Sequence, residues 1–411
     1  MSTNKKFFNL ILITSILLKI VIVIFYHEKQ LNDEWAVLLN NLEELKIISF
    51  YNIDGQYIPS SYMPPLYLIF LYCNKLLSFQ LFNFIYLVYF FQIVISTISV
   101  VLFYNLCNIF FNKNLSLFGS AIFAFFPLLM LCNGLISSAS LQVFLYLFFV
   151  SYSLKIIADK KKPNLIIFSL ICSSCLLLRG EFLVVFIASL IFFVLINKKN
   201  LIYSLILLTL STLIISPYIY RNYLNTNEVH IVNSKGYALW RGNNHLSKVE
   251  STTHVLHPNE RNTWPDIYEF KELYENLDNV KVDHAYESNR DKVFFDEAIN
   301  NISNNPKKYF ILYIKKILSY YFIDLNSSIK NYYSPLHILP VIFISIFSLP
   351  GIILSLKKRD KQQLYLLIIM TILTSLISIF FILPRYKISI IIFQIIFCLL
   401  FFEYCYKKIK K

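Results

Sequence analysis

About ten stretches of this sequence run for roughly 17 to 25 residues with almost no charge, each long enough to cross some 30 Å of hydrocarbon as a helix. They fall at 7–26, 84–106, 115–132, 138–157, 164–178, 182–197, 201–217, 335–356, 363–383 and 388–406. None shows the ten-residue alternation of a transmembrane barrel. The chain is 57% hydrophobic and only 15% charged, with a mean hydropathy of +0.58. That is more apolar surface than one soluble core can bury, so the expected fold class is an all-α polytopic membrane protein.

The net charge of +14 is read by position. With the N-terminus in the cytoplasm, Lys5, Lys6, Lys113, Lys155, Lys160 to Lys162, Lys198, Lys199, Lys357, Lys358, Arg359, Lys361, Lys407, Lys408, Lys410 and Lys411 all fall on the inner side. This positive-inside bias explains the basic excess without nucleic acid and puts both termini in the cytoplasm, across an inner (plasma) membrane. The same parity keeps 65–79, a short apolar run carrying Asn74 and Lys75, at the outer interface rather than across the bilayer. The first span lacks a small-residue cleavage site and should stay as an anchor.

The chain divides into three modules: 1–217 with a first outer loop at 27–82, a polar segment at 218–333, and the last spans at 334–411. The polar segment holds 14 acidic and 14 basic residues and five of the seven His, as an extracytoplasmic domain should. Within it, 287–300 reads as a helix. A second should open at Pro306, with Asn305 as its N-cap, and rest its Lys307, Lys308, Lys315 and Lys316 on the membrane. His254-x-x-His257 lacks the adjacent Glu and helical spacing of a zinc hydrolase, and Cys172-x-x-Cys175 has no second pair, so neither reads as a metal site.

Candidate chemistry gathers at the outer face. Asn32-Asp33-Glu34-Trp35 comes just after the first span, and Trp35, Leu38, Leu39, Leu42 and Leu45 then recur at helical spacing, as in an amphipathic helix on the outer leaflet. Asp33 and Glu34 suit a helix N-terminus, and equally suit proton abstraction at the lipid boundary. Lys19 lies mid-span, where a charge costs perhaps 2.5–3.5 kcal/mol and must face protein, water or phosphate. Arg179 sits in an outer turn with Glu181 two residues on. Arg385 and Lys387 carry basic charge on the outer side, where insertion gives no reason for it.

The order of several blocks resembles a family. The Asp33-Glu34 loop leads to Pro64-Pro65-Leu66-Tyr67. Pro217-Tyr218-Ile219-Tyr220-Arg221-Asn222-Tyr223 is similar to Pro-Trp-x-x-Arg-Asn-Tyr, and Gly236-Tyr237-Ala238-Leu239-Trp240-Arg241-Gly242-Asn243-Asn244 to a Gly-x-Asn-Leu-Trp-x-Gly-Asn-Asn block. Asn305-Pro306-Lys307-Lys308-Tyr309 and Pro384-Arg385-Tyr386-Lys387 complete the set. Together they resemble the GT-C membrane glycosyltransferases of the protein O-mannosyltransferase and aminoarabinose transferase superfamily, in its bacterial branch. The aminoarabinose transferases carry Glu-Lys ahead of the two prolines where this chain has Tyr62-Met63.

The resemblance implies a GT-C-type bundle of about ten transmembrane helices with an extracytoplasmic loop domain. It implies a polyprenyl-phosphate sugar donor and a glycolipid, polysaccharide or protein acceptor. Asp33 takes the place of the catalytic base and Glu34 that of the neighbouring acid; Lys19, Arg179 and Arg385 would hold the donor phosphate, and Tyr62, Arg221 and Asn243 the substrates. No metal site is assigned, though the adjacent carboxylates could hold a divalent cation. An O-antigen-type polymerase or ligase is the alternative reading, resting on loop Arg and His residues. A transporter, which would place its charges at mid-membrane, fits least.

Overall fold

In the computed structural model the described residues are 3–31, 33–53, 55–79, 81–158, 163–250, 269–327, 329 and 333–410. In chain order the helices are α1 (Thr3–Tyr26), α2 (Asp33–Leu45), α3 (Pro65–Leu77), α4 (Ile85–Phe110), α5 (Lys113–Ala124), α6 (Pro127–Leu131), α7 (Ala139–Ala158), α8 (Leu165–Leu178), α9 (Phe182–Ile196) and α10 (Asn200–Thr226). They continue as α11 (Lys235–Gly242), α12 (Lys271–Asp278), α13 (Tyr286–Asn304), α14 (Pro306–Tyr321), α15 (Pro335–Lys358), α16 (Lys361–Ile379) and α17 (Ile388–Ile409). Strands β1 (Ser49–Ile53) and β2 (Gln56–Pro59) form one antiparallel hairpin.

The chain is an all-α polytopic membrane protein. Among the described residues α1, α4, α7, α10, α15, α16 and the stretch Pro384–Ile409 are long and apolar enough to cross a bilayer; α3, α8 and α9 are shorter apolar helices. The expected single span at 115–132 is instead two helices. Pro127 forces Phe126 into an extended conformation (φ −65°, ψ 119°), ending α5 and starting α6. Residues 363–383 differ too: α16 stops at Ile379, and the chain runs extended to a 3₁₀ turn at Pro384–Lys387. Helix α10 carries on past 217 to Thr226, with Pro217 inside it. Pro217 cannot donate to the Leu213 carbonyl, and the Ser216 hydroxyl does so instead, at 2.8 Å.

Helix α17 is the centre of the bundle, buried from Ile388 to Leu399. Helix α15 crosses it at Gly351, where a Cβ would overlap the Phe397 carbonyl oxygen. Several polar residues inside the bundle bond helix carbonyls or each other: Ser189 and Thr374 bond four residues back, and Tyr365 Oη donates to Ser189 Oγ at 2.9 Å.

Helix α2 has the expected apolar stripe, but its partner is protein. Trp35, Leu38 and Leu39 are buried, and the Trp35 ring meets Tyr67 of α3 edge-on at 5.0 Å. The hairpin was not expected; its Tyr51 and Ile58 pack on Tyr286 of α13, and Gly55 takes the positive φ of its turn. The polar segment has its own small core, in which Leu239 and Trp240 of α11 pack with Leu273, Tyr274, Leu277, Phe294 and Ala298. Helices α13 and α14 lie where the sequence places them, and Asn305 is the N-cap residue of α14 without a side-chain bond.

Replacing Gly351 by Ala is expected to cost about 1–3 kcal/mol, because α15 must move off α17. Thermal unfolding in detergent would register this as a lower midpoint than that of the wild type.

Candidate active site at the outer loops

Asp33 opens α2; its side chain, like Asn32, lies outside the described residues. Glu34 is half-buried and near enough to the Tyr62 phenol for its charge to act on it. Tyr62 stacks on Phe50 at 4.6 Å and approaches Tyr237 of α11 at 6.1 Å. Burial first, and Glu34 next, keep this phenol protonated well above the ordinary 10.0.

The turn that carries Tyr62 is fastened from α13. Glu287 of α13, 1% exposed, accepts from Ser61 N at 3.0 Å and from Ser61 Oγ at 3.0 Å. Ser61 Oγ also contacts His230 Nε2 at 2.8 Å. Arg221 completes the fastening: its guanidinium donates to the carbonyls of Ser60 (2.8 Å) and Ile48 (3.0 Å). Burial raises the Glu287 carboxyl to about 7 and lowers His230.

The basic side is built on the link between α16 and α17. Phe381 and Tyr386 lie ring to ring at 5.8 Å. The Arg241 guanidinium sits over Phe381 at 4.2 Å, and that of Arg179 over Tyr386 at 5.9 Å. Arg385 joins them, its charge acting on both Tyr386 and Cys132. Arg179 Nε donates to Gln142 at 3.1 Å and stands 4.0 Å from Glu181. The charge of Arg241 acts on both Tyr62 and Tyr386.

Lys19 lies behind this group. It is 2% exposed, and its Nζ has no hydrogen-bond partner among the described residues. Its cavity, about 10 Å³, is shared with Ser96, Ser99, Cys132 and Ser140 and is roughly the size of one water.

Three contacts hold the basic side in place. Lys316, expected at the membrane surface, is fully buried and donates from Nζ to Gly242 O (2.7 Å) and Phe380 O (2.9 Å). The reason is that α14 packs on α16 and turns this position into the protein. Asn243 Nδ2 donates to Leu239 O (2.8 Å) and Ile379 O (2.9 Å). A Cβ on Gly242 would come within 2.5 Å of the Phe380 backbone, so only glycine lets α11 seat there. Lys387, the other outer cation, is buried 4.0 Å from the buried Glu250, which also accepts from Ser319 and Tyr333.

The structure thus sets Glu34 near Tyr62 and lays Arg179 over Tyr386, next to Arg385 in the chain. Arg221 and Asn243 hold backbone carbonyls of neighbouring segments. Cys172 and Cys175 are free and buried in the core. His254 and His257 lie outside the described residues. No three His, Cys, Asp or Glu side chains gather as a metal ligand set among the described residues. Sequence reading missed Glu287, Arg241 and Lys316, although Arg241 stands inside one of the blocks that carried the resemblance.

No protein-family model matches the chain, and no curated protein matches it by sequence. Solved structures do. The archaeal oligosaccharyltransferase AglB from Archaeoglobus fulgidus, in complex with an inhibitory peptide and a dolichol-phosphate, superposes at a TM-score of 0.57 and 12% identity over 99% of this chain. The fold is GT-C. An Archaeoglobus fulgidus oligosaccharyltransferase in complex with Zn and sulfate gives 0.54 and 13% over 97% of this chain. This chain spans about half the length of those proteins, 51% and 49%.

The fastenings carry two expected outcomes. The folded state holds the Glu287 proton more tightly than the unfolded chain, so this contribution to stability is full below pH 4.5 and is lost as pH rises through about 7. His230 acts oppositely, favouring the fold less as pH falls below 6.5. Glu287→Gln should therefore flatten the decline in unfolding temperature between pH 5 and about 8; an unchanged slope would remove Glu287 from the account. Lys316→Met should leave two buried carbonyls unpaired and cost about 1–3 kcal/mol, read as a lower unfolding temperature.

Proposed function

We propose that this protein is a glycosyltransferase that moves a sugar from a polyprenyl-phosphate carrier to an acceptor at the extracytoplasmic face. The observation that supports the reading is Arg179 lying 5.9 Å over the Tyr386 ring with Arg385 next to that ring in the chain, while the charge of Arg241 acts both on Tyr386 and on Tyr62, where that of Glu34 also acts. A carboxylate beside a cation cluster is what sugar transfer from a phosphate requires. One removes a proton from the nucleophile and the other receives the charge of the leaving group.

In this reading Asp33 takes the proton from an acceptor hydroxyl or amine. The acceptor atom attacks the anomeric carbon from the face opposite the carrier, and the carbon–oxygen bond to the phosphate breaks, with inversion. The phosphate leaves with the electron pair and is held by Arg179 and Arg385. Lys19, in its small cavity behind Cys132, adds positive potential rather than a direct contact. Glu34 restrains the acceptor beside Tyr62, while Arg221 and Asn243 serve the substrates by fixing the loops around them.

A divalent cation at Asp33 and Glu34 would draw on two carboxylates, with water and phosphate oxygens filling its shell, and would polarise the leaving phosphate. The dolichol-phosphate seen with a protein of the same fold supports a lipid phosphate as carrier, and the peptide beside it supports a protein among the acceptors, with glycolipid and polysaccharide as the other classes. The inner-side lysines support cytoplasmic termini in the plasma membrane.

Transfer from a radiolabelled polyprenyl-phosphate sugar, in membranes matched for expression, tests this. Asp33→Asn should lose about 100-fold or more of the wild-type rate while folding normally. Full activity in that variant would reduce Asp33 to a helix-capping residue.

A further inference from the structure

Helix α14 is buried on one face and open on the other. Tyr309, Leu312, Lys316, Ser319 and Tyr320 face protein, whereas Phe310, Ile311, Ile314 and Leu318 are each at least 40% exposed. At the helical period those four fall within a sector about 100° wide, one unbroken apolar stripe. Lys307 lies in the same sector one turn before Phe310, and Lys315 borders it; both are exposed. An apolar stripe edged with lysine is the composition of a helix at a lipid surface.

The neighbours of α14 say how deep it lies. Tyr313 Oη donates at 3.3 Å to Ser375 O of α16, four residues short of that helix's end at Ile379. At the C-terminal end of α14, Tyr321 O accepts from Ser345 Oγ of α15 at 2.7 Å and from Gln394 Nε2 of α17 at 2.9 Å, and Tyr321 Oη bonds Ser348 Oγ. Gln394 is six residues past the start of α17 and Ser345 ten past that of α15, or about 9 and 15 Å along their axes. Helices α15, α16 and α17 are all spans by length and composition, so the last turn of α14 lies below their ends, at the depth of hydrocarbon. A helix-terminal carbonyl there has no water to bond and must be met by protein, which Ser345 and Gln394 do. The spans that hold α14 expose apolar side chains at the same level, Ile346 of α15 and Ile379 of α16. A stripe open at that depth meets acyl chains.

We propose that α14 is a lipid-binding helix, sunk at its C-terminal end into the leaflet on the polar segment's side. It takes anionic phospholipid, with acyl chains on the stripe from Phe310 to Leu318 and phosphate headgroups at Lys307 and Lys315. Ammonium groups on long apolar stems reach headgroup level from such a stripe. A covered stripe keeps α14 against α16, and with it Lys316 on Gly242 O and Phe380 O, so the bilayer itself supports that seam. The proposal stands apart from the transferase reading and survives or fails without it.

The test uses the full chain in lipid nanodiscs, with Cys73→Ser and Cys405→Ser so that one added cysteine carries a bimane label. At Ile314→Cys the label should lose at least half of its fluorescence when brominated phosphatidylcholine replaces the ordinary lipid. At Glu272→Cys, exposed on α12, it should be unchanged. Leu318→Cys is read in place of Ile314→Cys should that variant not fold. A label on the stripe that brominated lipid leaves as bright as the one on α12 would overturn the proposal; if iodide in the water does not quench it either, protein and not lipid covers the stripe. The headgroup contact is read separately. Phosphatidylglycerol added to phosphatidylcholine discs should raise the unfolding temperature of the wild type more than that of the double variant Lys307→Gln, Lys315→Gln. The control Lys271→Gln, Lys281→Gln, at two exposed lysines elsewhere on the polar segment, should respond as the wild type does. Equal responses in all three would overturn the anionic-lipid assignment.

Discussion

One buried amine ties the polar segment of this protein to its membrane helices. Lys316 reaches from α14 into the seam between the end of α11 and the end of α16 and gives hydrogen bonds to Gly242 O and Phe380 O. Both carbonyls belong to helix ends, where orphan acceptors would otherwise be left without partners. Burial lowers the amine to about 7, so at neutral pH it is poised between charged and neutral forms, and it can donate in either. The seam matters because the residues just beyond it, Phe381 to Lys387, form the platform on which the cationic side of the site is laid.

The acidic side is held by a different device. Helix α2 brings Glu34 in from the end of the first membrane helix, and that entry is pinned by Glu28, whose N–H meets Gly134 O at 3.0 Å and whose carboxylate accepts from Ile136 N at 2.7 Å. The return of the same loop, at Ser60 to Tyr62, is held by Glu287 and Arg221. The polar segment therefore holds both the Ser60–Tyr62 turn, through α13, and the α16–α17 link, through the end of α11. Asp291 links these two helices, accepting from the N–H groups of Gly236 and Tyr237 at 2.9 Å and so capping α11 from its neighbour.

Much of this was legible in the sequence because a membrane leaves few choices. Run length and inside charge give most of the membrane helices, and a cation on the wrong side singled out Arg385 and Lys387. The structure then separates those two: the charge of Arg385 acts on Tyr386, and Lys387 turns inward to Glu250. What the pattern could not show was local or distant. The break at Phe126 depends on one proline, and the hairpin on five- and four-residue strands too short for periodicity to mark. Glu287 and Ser61 are 226 residues apart, and Lys316 and Gly242 are 74 apart. Lys316 read as an ordinary interfacial lysine because nothing in its own helix says that α16 covers it. Arg241 sat between Trp240 and Gly242 in a polar segment, where an arginine excites no notice until Phe381 is found beneath it.

The account turns on where a lipid phosphate sits. The most direct measurement is a structure of the full chain in a lipid nanodisc with a polyprenyl phosphate bound. Phosphate density beside Arg179 and Arg385 is the predicted result. Density elsewhere, with those two arginines bare, would contradict the account.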